Sequence, residues 1–285
     1  VTVAETIDAF APVESRFSAL NALPVVDDDN AWWLQGFQFR PESCAANNGG
    51  IVAADCFGKT ATLSVHAAKA VENGTGFVVY WRDDCSTFGF GDSDYEGRAR
   101  RGLSSVESYH FALELQAGAI TGPSGSASVA EPNTPLADAS ATIVTAAAAA
   151  PMNALACLDN AIAKQTKNRR GFVFMRPQML VHLASAQAII LQGNTWVTPM
   201  GNIVVPDGAF TGANPSGSAL TTNQFIYGTS WMQVRRGSVL VVGGPNADGV
   251  DRSVNTVVTY AMRPYMWQWD GCFLGAAEVN VTVCG

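Results

Sequence analysis

The sequence predicts an α+β fold, and three observations carry that prediction. Residues 151–210 read in order as a helix, a buried strand, a second helix and a hairpin. One long helix begins near Ser93, and strand-like runs stand at 77–81, 254–262 and 275–283.

Taken from the N-terminus, residues 1–30 are mixed in character and carry the acidic run Asp27-Asp28-Asp29, which suits an extended arm. The pattern Trp33-x-x-Gly36-x-x-Phe39-x-Pro41-x-x-Cys44 follows, and local packing of Trp32 and Trp33 is its simplest explanation. Residues 60–81 read as two strands joined by a turn at Glu72-Asn73-Gly74-Thr75.

Ser93-Asp94-Tyr95-Glu96 has the form of a capping box, in which serine and glutamate serve two free amides at a helix start. Behind it Ala99, Leu103, Val106, His110, Leu113 and Ala117 recur at steps of four and three, predicting one apolar stripe on a helix that ends at Gly118. Such a helix is about 36 Å long. Gly97 and Gly102 each weaken it by about 1 kcal/mol relative to alanine and leave room for a bend. Residues 121–135, rich in Gly, Ser and Pro, read as a loop or domain boundary.

Pro151 suits a first helical position, and Leu155, Leu158 and Ile162 follow at helical spacing. The basic run Lys164, Lys167, Arg169 and Arg170, then Gly171, closes that helix. A short apolar strand covers 171–175, Pro177 opens a helix through Leu180, Leu183 and Ile189, and 195–205 reads as two strands. Thr198-Pro199-Met200-Gly201 between them fits a type I turn. Residues 212–217 are a loop, and 224–242 hold two strands around a basic turn at Arg235-Arg236-Gly237. Tyr265, Trp267 and Trp269 crowd the connection between the two closing strands.

Composition bounds the function. At 285 residues and 30.0 kDa the chain can bury a sizeable core, yet only 14% of it is charged against 48% hydrophobic, which points to a surface facing other protein. A net charge of -7 and pI near 4.9 argue against nucleic-acid binding through many neutralised phosphates, so any DNA contact is expected to be weak and local. No run reaches the roughly 18 to 20 apolar residues that span a bilayer, so no membrane partner is expected. The chain opens on Val1-Thr2, which fits either removal of an initiator Met or a cut that released a longer segment.

Motifs of chemistry fail one by one. Phe57-Gly58-Lys59-Thr60 ends like a phosphate-binding loop, but position 53 is alanine where that loop needs glycine. Gly228-Thr229-Ser230-Trp231-Met232 begins like a nucleophile elbow and lacks its second glycine. His66, His110 and His182 lie in separate elements without a second ligand at metal spacing; His110 and His182 read as packed residues. Asp83-Asp84 and Asp92 with Asp94 read as carboxylates at helix or turn starts. The six cysteines, at 44, 56, 85, 157, 272 and 284, include no Cys-x-x-Cys and read as reduced thiols, with Cys44 and Cys56 the first pair to test for a bridge. No enzyme activity, cofactor or metal site is expected.

The order of elements over 77–210, with its hairpin Trp196-Val-Thr-Pro-Met-Gly-Asn-Ile-Val-Val-Pro206-Asp207, resembles the major capsid proteins of tailed bacteriophages, those of actinobacterial phages above all. The resemblance implies the Hong Kong ninety-seven-type fold: an N-terminal arm and adjoining segment (1–48), an E-loop hairpin (49–92), a P-domain spine helix and loop (93–137), an A-domain (138–250) and P-domain return strands (251–285). It implies a non-enzymatic shell protein that assembles with itself into hexamers and pentamers of an icosahedral virion head. Such a head encloses double-stranded DNA, is built in the bacterial cytoplasm, and is completed by portal and accessory or decoration proteins. Subunit contacts are then expected at Asp27, Asp28, Asp29, Trp32, Trp33, Lys59, Lys69, Arg98, Arg100, Arg101, Arg235 and Arg236. Some members of the family form isopeptide cross-links; Lys59 or Lys69 with Asn255 or Asn280 would be the residues to consider, but no local motif identifies them and the cross-link is not carried over. An encapsulin-like compartment shell is the alternative within this fold. A secreted disulfide-containing binding protein, suggested by the sequons at Asn73 and Asn280, is the alternative outside it.

Overall fold

The computed structural model describes residues 16–29, 37–39, 72–74, 76–86, 94–118, 135–218, 222–244, 250–251 and 256–281. Expectations for Trp32, Trp33, Lys59, Lys69, His66, Asp92, Cys44, Cys56 and most of the 121–135 loop lie outside these residues.

The elements run α1 (Ala19–Ala22), β1 (Val25–Asp27), β2 (Phe37–Phe39), β3 (Glu72–Gly74), β4 (Phe77–Ser86), α2 (Tyr95–Ala117), β5 (Thr142–Ile143) and α3 (Pro151–Thr166). They continue through β6 (Phe172–Met175), α4 (Pro177–Ser185), β7 (Ile190–Gln192), β8 (Thr195–Val197), β9 (Ile203–Pro206), β10 (Gln224–Thr229) and β11 (Met232–Arg236). The last are β12 (Leu240–Gly243), β13 (Val250–Asp251), β14 (Thr256–Trp269) and β15 (Leu274–Val279).

Two sheets organise the chain. The seven-stranded sheet has the order β5-β15-β10-β6-β9-β8-β7. Its central strand β6 reads Phe-Val-Phe-Met because both faces are covered: Phe172 and Phe174 join a core shared with α2, while Val173 and Met175 pack with Leu158, Ile162, Met179 and Leu183 of α3 and α4. The six-stranded sheet is built on β14, with β4 along one side and β11, β12 and β13 along the other, while β1 adds a parallel edge to β11. Its inner face meets α2 through Phe77, Phe111, Tyr265 and Trp267, whose rings stand 5.4 to 6.3 Å apart in the contacts that join them.

Several local expectations give way to tertiary context. Asp94, not Ser93, caps α2, its carboxylate accepting from Gly97 N at 2.9 Å. The buried stripe of α2 runs Ala99, Leu103, Glu107, Phe111 and Leu115, in steps of four that drift by about 40° a turn, so His110 and Ala117 are exposed. Gly102 serves a close approach instead of a bend, since a Cβ there would stand 2.2 Å from Trp81 Nε1. The α3 helix closes at Lys167, in the left-handed region at φ 55°, while Gly171 opens β6, where a Cβ would lie 2.2 Å from the Thr229 carbonyl oxygen.

Other differences are changes of element. Glu72–Gly74 is a strand paired with β2, not a turn. Asp83 and Asp84 sit within β4, and Arg235 and Arg236 within β11. Residues 256–269 form one continuous strand, so Tyr265, Trp267 and Trp269 are strand residues. The two closing strands part company: β14 centres one sheet and β15 enters the other beside β10. His182 is exposed on α4, because only Met179 and Leu183 of that short helix are buried. Cys272 is disulfide-bonded and Cys157 is a free, exposed thiol, a correction to the reading of uniformly reduced thiols, since pairing depends on spatial approach that spacing does not encode. The Thr198–Gly201 turn is present, closed by Gly201 N on Thr198 O at 2.8 Å.

Candidate assembly interface

Of the residues singled out from sequence, Asp27, Asp28, Arg98, Arg101, Arg235 and Arg236 form ion pairs within the chain. Strand β1 runs parallel to β11 with Asp27 opposite Arg236. Arg236 Nε stands 2.8 Å from Asp27 Oδ1 and Arg235 Nη1 2.8 Å from Asp28 Oδ2, while Ser238 Oγ donates to Asp29. The Arg236 hydrogen bond holds the Asp27 carboxyl below its usual range. On α2, Arg98 pairs with Asp83 of β4 and lies over the Tyr95 ring, and Arg101 stands 3.2 Å from the cap residue Asp94. Arg100 is exposed. The acidic and basic groups expected at subunit contacts are thus brought together in cis, and the acidic run of the arm finds its complement on β11.

Sequence reading missed the buried polar groups. Glu107, 6% exposed, accepts from Arg263 Nη1 at 2.7 Å and from the Tyr265 hydroxyl, joining α2 to β14. Burial, followed by the Glu107 charge, pushes the Tyr265 phenol far up and keeps it protonated. The signal was a glutamate at the step-of-four position between Leu103 and Phe111. In the other half, Asn202 receives Gly171 N on Oδ1 and donates Nδ2 to Asp159, both at 2.8 Å. Asp207 accepts from Ala19 N at 2.8 Å and Ala209 N at 2.9 Å. Burial raises the pKa of both Asp159 and Asp207.

The outer face of the six-stranded sheet carries a set of exposed apolar side chains over β4, β12 and the first half of β14, while Met266 farther along the same face is buried. Residues directly opposite in an antiparallel pair share a face, so Tyr80, Met262 and Leu240 form one row and Arg82, Tyr260 and Val242 the next. Val78, Tyr80, Leu240 and Val242 are 42 to 57% exposed. Arg82, a cation of this face, is engaged with Asp84 at 2.8 Å and lies over the Tyr260 ring. An apolar surface of this kind is what an assembling protein presents. Among the described residues no three His, Cys, Asp or Glu side chains gather as a metal site, and no helix is long and apolar enough to cross a membrane.

This architecture matches solved shells over nearly its whole length. The chain is similar to the capsid of a native GTA particle, with a TM-score of 0.57 and 13% identity, covering 99% of this chain and 95% of that one. It is similar to a structure from Microbacterium phage Oxtober96, at a TM-score of 0.56 and 12% identity over 98% and 95% of the two chains. The SrpI encapsulin of Synechococcus elongatus is also similar, at 0.55 and 10% identity over 100% and 94%. No family model matches the chain, and no curated protein matches it in sequence. The fold is the Hong Kong ninety-seven-type capsid fold, the α+β class expected from the sequence.

Proposed function

We propose that the chain is a major capsid protein, whose copies join as hexamers and pentamers into the icosahedral head of a bacteriophage around double-stranded DNA. The observation that carries this reading is the likeness in fold to GTA-particle capsids over 99% of the chain, joined by the likeness to a structure from a Microbacterium phage over 98%. The exposed side chains of Val78, Tyr80, Leu240 and Val242 support it, because a subunit that buries such groups against its neighbours gains from many weak contacts at once. With a net charge of -7 the shell encloses DNA without gripping it. The work of the protein is mechanical and no catalytic group is assigned. Portal and accessory or decoration proteins complete the head, which assembles in the cytoplasm of the host bacterium and remains in the virion.

The regions follow the same reading: an arm over 1–48, an E-loop over 49–92, a P-domain from 93–137 and 251–285, and an A-domain over 138–250. Asp27, Asp28, Asp29, Trp32, Trp33, Lys59, Lys69, Arg98, Arg100, Arg101, Arg235 and Arg236 are its candidate contact residues. An encapsulin-like compartment is the second reading, favoured by the likeness to the SrpI encapsulin. Electron microscopy of native particles with extraction of their contents separates the two. Closed shells that yield double-stranded DNA support the capsid, shells holding protein cargo without DNA support the compartment, and the absence of shells overturns both.

A further inference from the structure

The chain crosses between its two sheets in ways that differ in kind. Ser230 and Trp231 join β10 to β11, and residues 270–273 join β14 to β15. These crossings lie against each other: Ser230 N donates to Phe273 O at 3.1 Å, Asp270 N to Trp231 O at 3.2 Å, and Ser230 Oγ to Asp270. They meet at the Thr229 end of the seven-stranded sheet, where Thr229 faces Phe172 and Phe172 faces Ile203.

Residues 16–28 join the same two sheets elsewhere. Their first half stands on the seven-stranded sheet. Arg16 donates to Gly193 O at 3.3 Å and to Asn194, Phe17 packs on Trp196, and Ala19 N donates to Asp207, which follows β9 at the end opposite Ile203. Their second half stands on the six-stranded sheet, with Val234 N on Pro24 O and Asp28 N on Arg236 O, both at 2.9 Å, beside the Asp27–Arg236 and Asp28–Arg235 pairs. Only Leu23 and Pro24 separate α1 from β1. The two feet differ in burial. Ser18, Ala19 and Leu23 are buried, whereas Val26 and Asp27 are exposed on a three-residue edge strand.

We propose that residues 16–28 are an intramolecular clamp that fixes the angle between the two sheets about the 230–231 and 270–273 hinge, with the β1 foot as its release point. One half-buried and one largely exposed ion pair with a three-residue edge pairing are the weaker attachment, so this foot lets go while the buried α1 foot stays. A shell with both pentamers and hexamers places one sequence in unequal surroundings, and a hinge with a releasable clamp lets one fold serve both. That last step rests on the capsid reading; the clamp itself does not.

The test uses the full chain carrying Arg235→Gln with Arg236→Gln. Hydrogen exchange reads the Asp28 and Val234 amides, and pulsed electron paramagnetic resonance reads the distance between spin-labelled noncanonical residues at the exposed positions Val78 and Val181. The expected result is exchange about five-fold faster at those two amides, unchanged exchange in β10 and β15, and a broadened sheet-to-sheet distance. The charge-exchanged pair Asp27→Arg with Arg236→Asp then restores slow exchange and a narrow distance. Faster exchange throughout β10 and β15, or an unbroadened distance with β1 released, overturns the clamp. Should the double variant fail to fold, Asp28→Asn carries the same readouts. Electron microscopy of its particles reads the last step: shells of mixed diameter are expected, and uniform shells from a chain with a broadened distance overturn that step. A parent chain that forms no shell removes the capsid reading and leaves the exchange and distance arms to decide the clamp.

Discussion

Arg263 places Nη1 2.7 Å from Glu107 Oε1, an ion pair held between the longest helix and the longest strand among the described residues. Because the Tyr265 hydroxyl donates to the same oxygen, one carboxylate fixes the register of α2 on β14. Removing it strands a cation and a phenol inside the core. Glu107→Ala should therefore cost about 2–4 kcal/mol in denaturant unfolding of the unassembled subunit, towards the lower value because Arg263 is 23% exposed. Glu107→Leu combined with Arg263→Met should recover most of that loss, since apolar replacement of a buried pair leaves no charge behind.

Two glycines of α2 should each fall short of the gain that helix propensity alone dictates. Alanine at Gly102 gains about 1 kcal/mol of propensity but drives its methyl into the packed Trp81 indole, so a net loss of about 1–2 kcal/mol is expected. Alanine at Gly97 meets only the Asp94 carboxylate, whose displacement loses a cap worth about 1 kcal/mol and offsets the same propensity gain. Thermal unfolding of the two variants should show a lowered midpoint for the first and little change for the second.

The helix end at Lys167 offers a stabilising change. Lys167 stands at φ 55° and Asn168 at φ 64°, a conformation glycine adopts without a Cβ penalty. Lys167→Gly should raise stability by about 0.5–1 kcal/mol, measured as a shifted denaturant midpoint with an unchanged slope.

How much of this was legible depends on the range of the deciding contact. Pro151, Pro177 and the Thr198–Gly201 turn announce themselves, because proline and glycine constrain the residues beside them whatever the fold. The apolar run of β6 is equally plain, since a strand covered on both faces has no polar position. Gly171 was misread as a helix stop because its reason lies across the sheet, at Thr229. The pairing of Asp27 and Asp28 with Arg236 and Arg235 joins residues about two hundred positions apart, so the sequence displayed two charged runs without showing that they meet. The Glu107 site is hidden for a related reason: its partner Arg263 falls just past the run 254–262, in what reads as a connection and is part of the continuous strand β14.

The buried carboxyls give a pH dependence of definite sign. Burial raises the folded-state pKa of Asp159 and Asp207 above the unfolded value of 3.8. The folded state then binds these protons more tightly, so their contribution to stability is complete below the unfolded pKa and is lost as pH rises through the raised one. Asp159→Asn keeps an acceptor for Asn202 Nδ2 and removes the titration. The stability of the parent minus that of Asp159→Asn, from urea unfolding, should grow as the pH falls from about 7 towards 4.

The central claim is that copies of this chain cover one another's apolar surface in a closed shell. Sedimentation velocity of the purified full chain at high protein concentration tests it most directly. A fast, narrow boundary of closed particles, from which slow 30.0 kDa material is largely depleted, is the predicted result. A single slow boundary of 30.0 kDa, unchanged as concentration rises, would contradict it.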